Sequence, residues 1–102
     1  MRTVVPNRRQ SEIVSFTHNE IEFSGQMSYL PNGQPCEIFI EGGKPGSAIQ
    51  AMARDSAVAI SIALQFGTPI DVIRNSMTRD DHGSALGPIA AFLDIVTGAA
   101  TA

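Results

Sequence analysis

Residues 21–41 hold two runs of apolar–polar alternation separated by a turn signal, which restricts the fold more than any other feature of the chain. In IEFSGQMSYL, Ile21, Phe23, Gly25, Met27 and Tyr29 share one side, with Glu22, Ser24, Gln26 and Ser28 on the other. In PCEIFIE, Cys36, Ile38 and Ile40 share one side, with Glu37, Phe39 and Glu41 on the other. A period of two is that of a half-buried strand. Between the runs lies LPNGQ, where Pro31 presets a type I turn and Gly33 suits the left-handed residue of a three-residue hairpin loop. Upstream, EIVSF puts Val14 and Phe16 on one face and Ile13 opposite, and THNE is polar turn material. The expected result is a three-stranded antiparallel meander with one face available for helices. Gly25, inside the middle strand, is expected to mark a bulge.

Helical signals follow. Ser47 is a natural N-cap, and Gln50 three residues on completes a capping box. The run reaches Phe66 and stops at Gly67, the residue type favoured just past a helix end. Thr68 is expected to cap a second helix with Pro69 at its first position, and Pro88 to open a third that ends near Gly98. The fold class is therefore α+β: the meander, then one long and two shorter helices. Along the long helix, Ser47, Gln50, Arg54, Ser61 and Gln65 fall in one narrow stripe at 100° per residue. Nearly all the rest is apolar, so most of its circumference should be buried, by the sheet on one side and by the two shorter helices or a second copy of the chain on another. Asp55 sits on the wall formed by Ala48, Ala51, Ala59 and Ile62, and a carboxylate there is expected to form a buried ion pair.

With 102 residues the chain makes one domain. Its organisation reads as a basic arm at 1–11, a body at 12–98 and a tail at 99–102. Arg2, Arg8 and Arg9 give the first ten residues +3, while the other 92 carry four basic and ten acidic residues, or −6. A nucleic-acid partner is not expected, because the body is acidic and has no basic–aromatic interleaving. The single cysteine, Cys36, excludes an internal disulfide. No leader pattern and no 18-residue apolar run is present, so a cytoplasmic protein without membrane contact is expected.

GGKPGS, residues 42–47, has the order of a phosphate loop, but not its spacing. Lys44 directly follows Gly43, Pro45 removes an amide, and Ser47 is three residues beyond the lysine. The glycines serve a strand-to-helix reversal. Lys44, Gly46 and Ser47 at a helix start, assisted by Arg8 or Arg9, remain the candidate anion-binding residues. Cys36, His18 and His82 lack metal-site spacing, and no metal or other cofactor is expected. RDDHG, residues 79–83, lacks the alternation of a calcium loop and reads as a solvated loop. No catalytic constellation is present, so no enzyme is expected.

PCEIFIEGGKPGS followed by SAVAISIALQFGTPIDVI resembles the TSCPD domain, over residues 26–76. That domain is the tail of adenosylcobalamin-dependent ribonucleotide reductases and also occurs in short stand-alone bacterial proteins. The cysteine cluster of the reductase tail is missing here, and so is the catalytic barrel, so neither thiol chemistry nor reductase activity is carried over. The expected function is a non-catalytic accessory or protein-interaction module that forms a homodimer. The alternative is an anion- or nucleotide-binding domain linked to the reductase and centred on the Lys44–Ser47 turn.

Overall fold

The computed structural model describes residues 1–99. Residues 100–102 of the expected tail lie outside the described residues. Three strands, β1 (Gln10–His18), β2 (Ile21–Tyr29) and β3 (Pro35–Gly42), precede three helices, α1 (Ala48–Gln65), α2 (Ile70–Asn75) and α3 (Pro88–Val96). The sheet is antiparallel in the order β1-β2-β3, so the α+β meander expected from the alternation is what forms. β1 begins at Gln10, inside the stretch expected to be the arm.

The alternating residues do what a pleated strand requires: Phe16, Phe23, Met27, Ile38 and Ile40 point into one core. Ala53, Ala57, Ile60 and Leu64 of α1 meet them beneath β3, and Ile89, Phe92 and Leu93 of α3 meet them beneath β1 and β2. The rings of Phe16 and Phe23 stack at 5.5 Å, and Phe92 lies 6.1 Å from Phe16. Gly25 is not at a bulge. It pairs regularly with Val14 and Ile40, and its missing side chain makes room for the Phe92 ring. The register shift falls instead at Ser28/Tyr29, opposite Cys36.

Asn19 (φ 50°) and Glu20 (φ 67°) form the β1–β2 turn, both in the left-handed region that a two-residue type I′ hairpin demands. Glu is a costly residue there, since a left-handed conformation costs a side chain roughly 1–2 kcal/mol. Glu20→Gly is expected to stabilise the protein by about 1 kcal/mol, seen as a higher urea midpoint at unchanged slope. An unchanged or lower midpoint would show that Glu20 carries no backbone strain.

At the start of α1 the expected capping interactions form: Gln50 N donates to Ser47 Oγ at 3.2 Å, and Gly46 N donates to Gln50 Oε1 at 2.8 Å. At its end, Gly67 takes φ 99°, Gly67 N donates to Leu64 O, and Thr68 N donates to Ala63 O, which is a complete Schellman motif. Thr68 therefore closes α1 and does not cap α2. Pro69 is the N-cap residue of α2, without a side-chain bond. Pro88 does open α3. Residues 80–84 are exposed, and the loop carries hydrogen bonds of its own. The Asp80 carboxylate accepts from His82 N and Ser84 N, each at 2.9 Å, and Arg79 pairs with Ala85 as an antiparallel bridge.

Candidate functional site

Which amides remain available at the Lys44–Ser47 turn decides what it can bind. Gly46 N is committed to Gln50 Oε1, Ser47 N donates to Lys44 O at 2.9 Å, and Gln50 N is held by Ser47 Oγ. Three donors of the turn are thus used to build the helix start. Lys44 itself is exposed. The arm arginines do not come to it. Arg9 ion-pairs with Glu37 at 2.7 Å and donates to Pro6 O at 2.8 Å, near the start of β3, whereas Lys44 follows its end. About five strand residues, or roughly 16 Å, separate the two places. Arg8 is exposed beside Tyr29 and Pro31. The structure separates the candidate residues into two groups.

The arm instead binds the end of α1. Thr3 N donates to Gln65 O at 2.7 Å, and Arg2 Nε donates to Gln65 Oε1 at 2.5 Å. Gln65 and Ser61 are buried, because they serve the edge of β3. Ser61 Oγ accepts from Ile38 N at 2.9 Å and lies 3.1 Å from Ile38 O, and Gln65 Nε2 donates to Cys36 O at 3.0 Å. Two polar side chains of the helix thereby satisfy backbone groups that an edge strand would otherwise leave open.

This arrangement fixes which side of α1 faces out, and it corrects the reading of Asp55. Asp55 is exposed, and among the described residues no cation pairs with it. Arg54, its neighbour, is bound to Glu41 on β3 at 2.5 Å. Around Asp55 the outer face of α1 is apolar: Met52 is 67% exposed, Val58 59% and Phe66 59%.

Among the described residues a partly buried ion-pair cluster lies elsewhere. Asp94 on α3 accepts from Arg79 Nη1 at 2.7 Å and Nη2 at 2.8 Å, a bidentate fork, and from Arg74 at 3.4 Å. The hydrogen bonds from Arg79 hold the Asp94 carboxyl below the ordinary carboxylate range, against the opposing effect of burial. Arg79 also donates to Gly83 O and Arg74 O, so one guanidinium ties α3, the end of α2 and the 79–85 hairpin together. Sequence reading missed this cluster. Its signal is the one acid inside PIAAFLDIV, an otherwise apolar helix.

Cys36 is buried in β3, where loss of solvent and the Glu37 charge push its thiol up, with Arg9 opposing, so it is an inert apolar filler. His18 lies in the β1–β2 turn region at the other end of the sheet, its Nε2 3.1 Å from Leu86 O. Among the described residues no group of three His, Cys, Asp or Glu is placed to hold a metal.

The pattern that defines the TSCPD domain matches residues 2–92, nearly the whole chain. The chain belongs to the TSCPD domain family. Three vitamin B12-dependent ribonucleotide reductases are similar to this TSCPD chain. That of Rhodopirellula baltica is 37% identical over 83 residues, 76% of this chain and 8% of the reductase. That of Agrobacterium fabrum is 36% identical over 70 residues, 69% of this chain and 6% of the reductase. That of Bradyrhizobium diazoefficiens is 30% identical over 82 residues, 76% of this chain and 6% of the reductase. The TSCPD chain thus spans less than a tenth of the length of the curated relatives it matches. No solved structure matches it. Among the described residues no helix is long and apolar enough to cross a membrane.

Proposed function

We propose that this TSCPD protein is a non-catalytic accessory module, working in the cytoplasm in a setting linked to ribonucleotide reduction, and that it self-associates through the outer face of α1. The observation that carries this reading is that face. Ile49, Met52, Val58, Ile62 and Phe66 are 45%, 67%, 59%, 39% and 59% exposed on a single helix. Apolar side chains concentrated on one helix mark a surface to be covered, whereas single exposed ones do not. Comparison with the reductases supports the accessory part, since a stretch of 6–8% of each accompanies the rest of the enzyme.

Sedimentation equilibrium at about 50 µM is expected to give twice the chain mass, with Ile62→Lys returning the protein to a monomer while leaving its fold intact by circular dichroism. A parent protein that stays at the single-chain mass, or a dimer indifferent to Ile62→Lys, would remove the basis for this reading.

A further inference from the structure

We infer that the cavity between the N-terminal arm, β3 and α1 binds an anion that carries a planar ring, the chemistry of a nucleoside monophosphate. The cavity has a volume of about 410 Å³, which is within the range of small-ligand sites. Its apolar lining is Phe39 of β3 with Val58 and Ile62 of α1, all three exposed. The arm contributes Arg2 and Arg9. These two arginines differ in what they have left to give. Arg9 is spent: its Nη2 donates to Glu37, the carboxylate that lines the cavity, and its Nη1 to Pro6 O. Arg2 is held through Nε alone, which donates to Gln65 Oε1. Gln65 is 4% exposed, its Nε2 is fixed on Cys36 O, and its backbone oxygen accepts from Thr3 N. A buried amide therefore aims the guanidinium, while Arg2 Nη1 and Nη2 have no partner among the described residues. Two parallel donors on a fixed fork match the paired oxygens of a phosphate or carboxylate. With Arg9 and Glu37 neutralising each other, Arg2 leaves the cavity one positive charge on an otherwise acidic body.

Gln26 distinguishes a bare anion from a larger one. It pairs across the sheet with Phe39, lines the same cavity and is half-buried, and its side-chain amide has no partner among the described residues. An amide offers donors and an acceptor side by side, as the edge of a nucleobase does. The exposed ring of Phe39 supplies a face on which a base stacks. Inorganic phosphate would use neither residue. Val58 and Ile62 also belong to the face assigned above to self-association, so the ligand lies at the margin of that face, but its binding needs only one chain.

The test is titration of isotope-labelled protein with AMP, GMP, CMP and UMP, with the corresponding nucleosides and with inorganic phosphate, read by NMR shifts of backbone and side-chain amides. At least one monophosphate is expected to saturate with a Kd of about 1 mM or tighter, moving the Gln26 side-chain amide and the Phe39 amide. Its nucleoside, and phosphate alone, should each bind at least about tenfold more weakly, since each lacks half of the contacts. Arg2→Gln and Phe39→Ala should each weaken the monophosphate about tenfold, and Lys44→Ala should leave it unchanged. Phe39 makes no contact that holds the arm, so its variant keeps the test readable where Arg2→Gln loosens the arm. Absence of saturation with all the monophosphates overturns the inference. So do shifts at Lys44–Ser47 in place of Gln26 and Phe39, phosphate binding as tightly as the monophosphate, or a Kd indifferent to Phe39→Ala. The self-association reading is scored by chain mass, so its failure and the failure of this inference are seen separately.

Discussion

Gly25→Ala is expected to lower the stability of the protein by about 3 kcal/mol, at the upper end for overpacking a core. A Cβ at this position would overlap ring carbons of Phe92 and meet Ile40 Cδ1 at 3.0 Å. Phe92 has nowhere to go: it is fully buried and its ring rests against Phe16. To admit one methyl group, α3 must lift from the middle of the sheet. Urea unfolding measures the loss, and Phe92→Leu made in the Gly25→Ala background should recover part of it, with a coupling of about 1 kcal/mol or more. A Gly25→Ala midpoint equal to that of the parent would show that α3 slides without penalty. The distance between helix and sheet would then not be set at this pair.

Asp94→Ala is expected to cost about 2–3 kcal/mol, because it leaves two partly buried guanidiniums, Arg79 and Arg74, facing each other without their shared counter-charge. Arg74 Nε is already buried without a partner, so the cluster has little reserve. The sign of the pH dependence follows from the direction of the shift. A carboxyl held lower in the folded than in the unfolded chain contributes fully above its unfolded value, about 3.9 for an aspartate. That contribution disappears as pH falls through the lower folded value. The parent should therefore lose its advantage over Asp94→Asn below about pH 4 and keep it from pH 5 upward. Urea midpoints of both proteins from pH 3 to pH 7 measure this. A gap of constant size across the range would mean that the Arg79 fork contributes nothing through the carboxylate charge.

The sheet was legible because each of its determinants is local. Alternation in residues 21–29 and 36–41, the Pro31–Gly33 turn and the Ser47 cap each act over four to nine residues. The orientation of α1 was not legible in the same way. A helix apolar round most of its circumference offers no unique inner face, and its polar stripe reads as the solvent side. The structure turns part of that stripe inward, since β3 is at the sheet edge and its backbone at Cys36 and Ile38 needs the partners that Ser61 and Gln65 supply. Asp55 then has to face out. The Gly25–Phe92 fit and the Asp94–Arg79 fork join residues 67 and 15 apart in sequence, and no window of periodicity reports a contact of that kind. Thr68 illustrates a competition between two local rules, in which closing α1 won over capping α2.

The way Ser61 and Gln65 lie along β3 also bears on how the protein can coexist with itself at high concentration. An uncovered sheet border is a template on which another chain can lay down a strand, and fibrils grow by repeating that step. Here Ile38 N donates to the hydroxyl of Ser61, and the Gln65 amide takes the carbonyl of Cys36. An incoming strand would have to peel α1 away before it found a donor or acceptor at these positions. The helix thus works as a stopper on the sheet and obstructs strand addition along this part of β3.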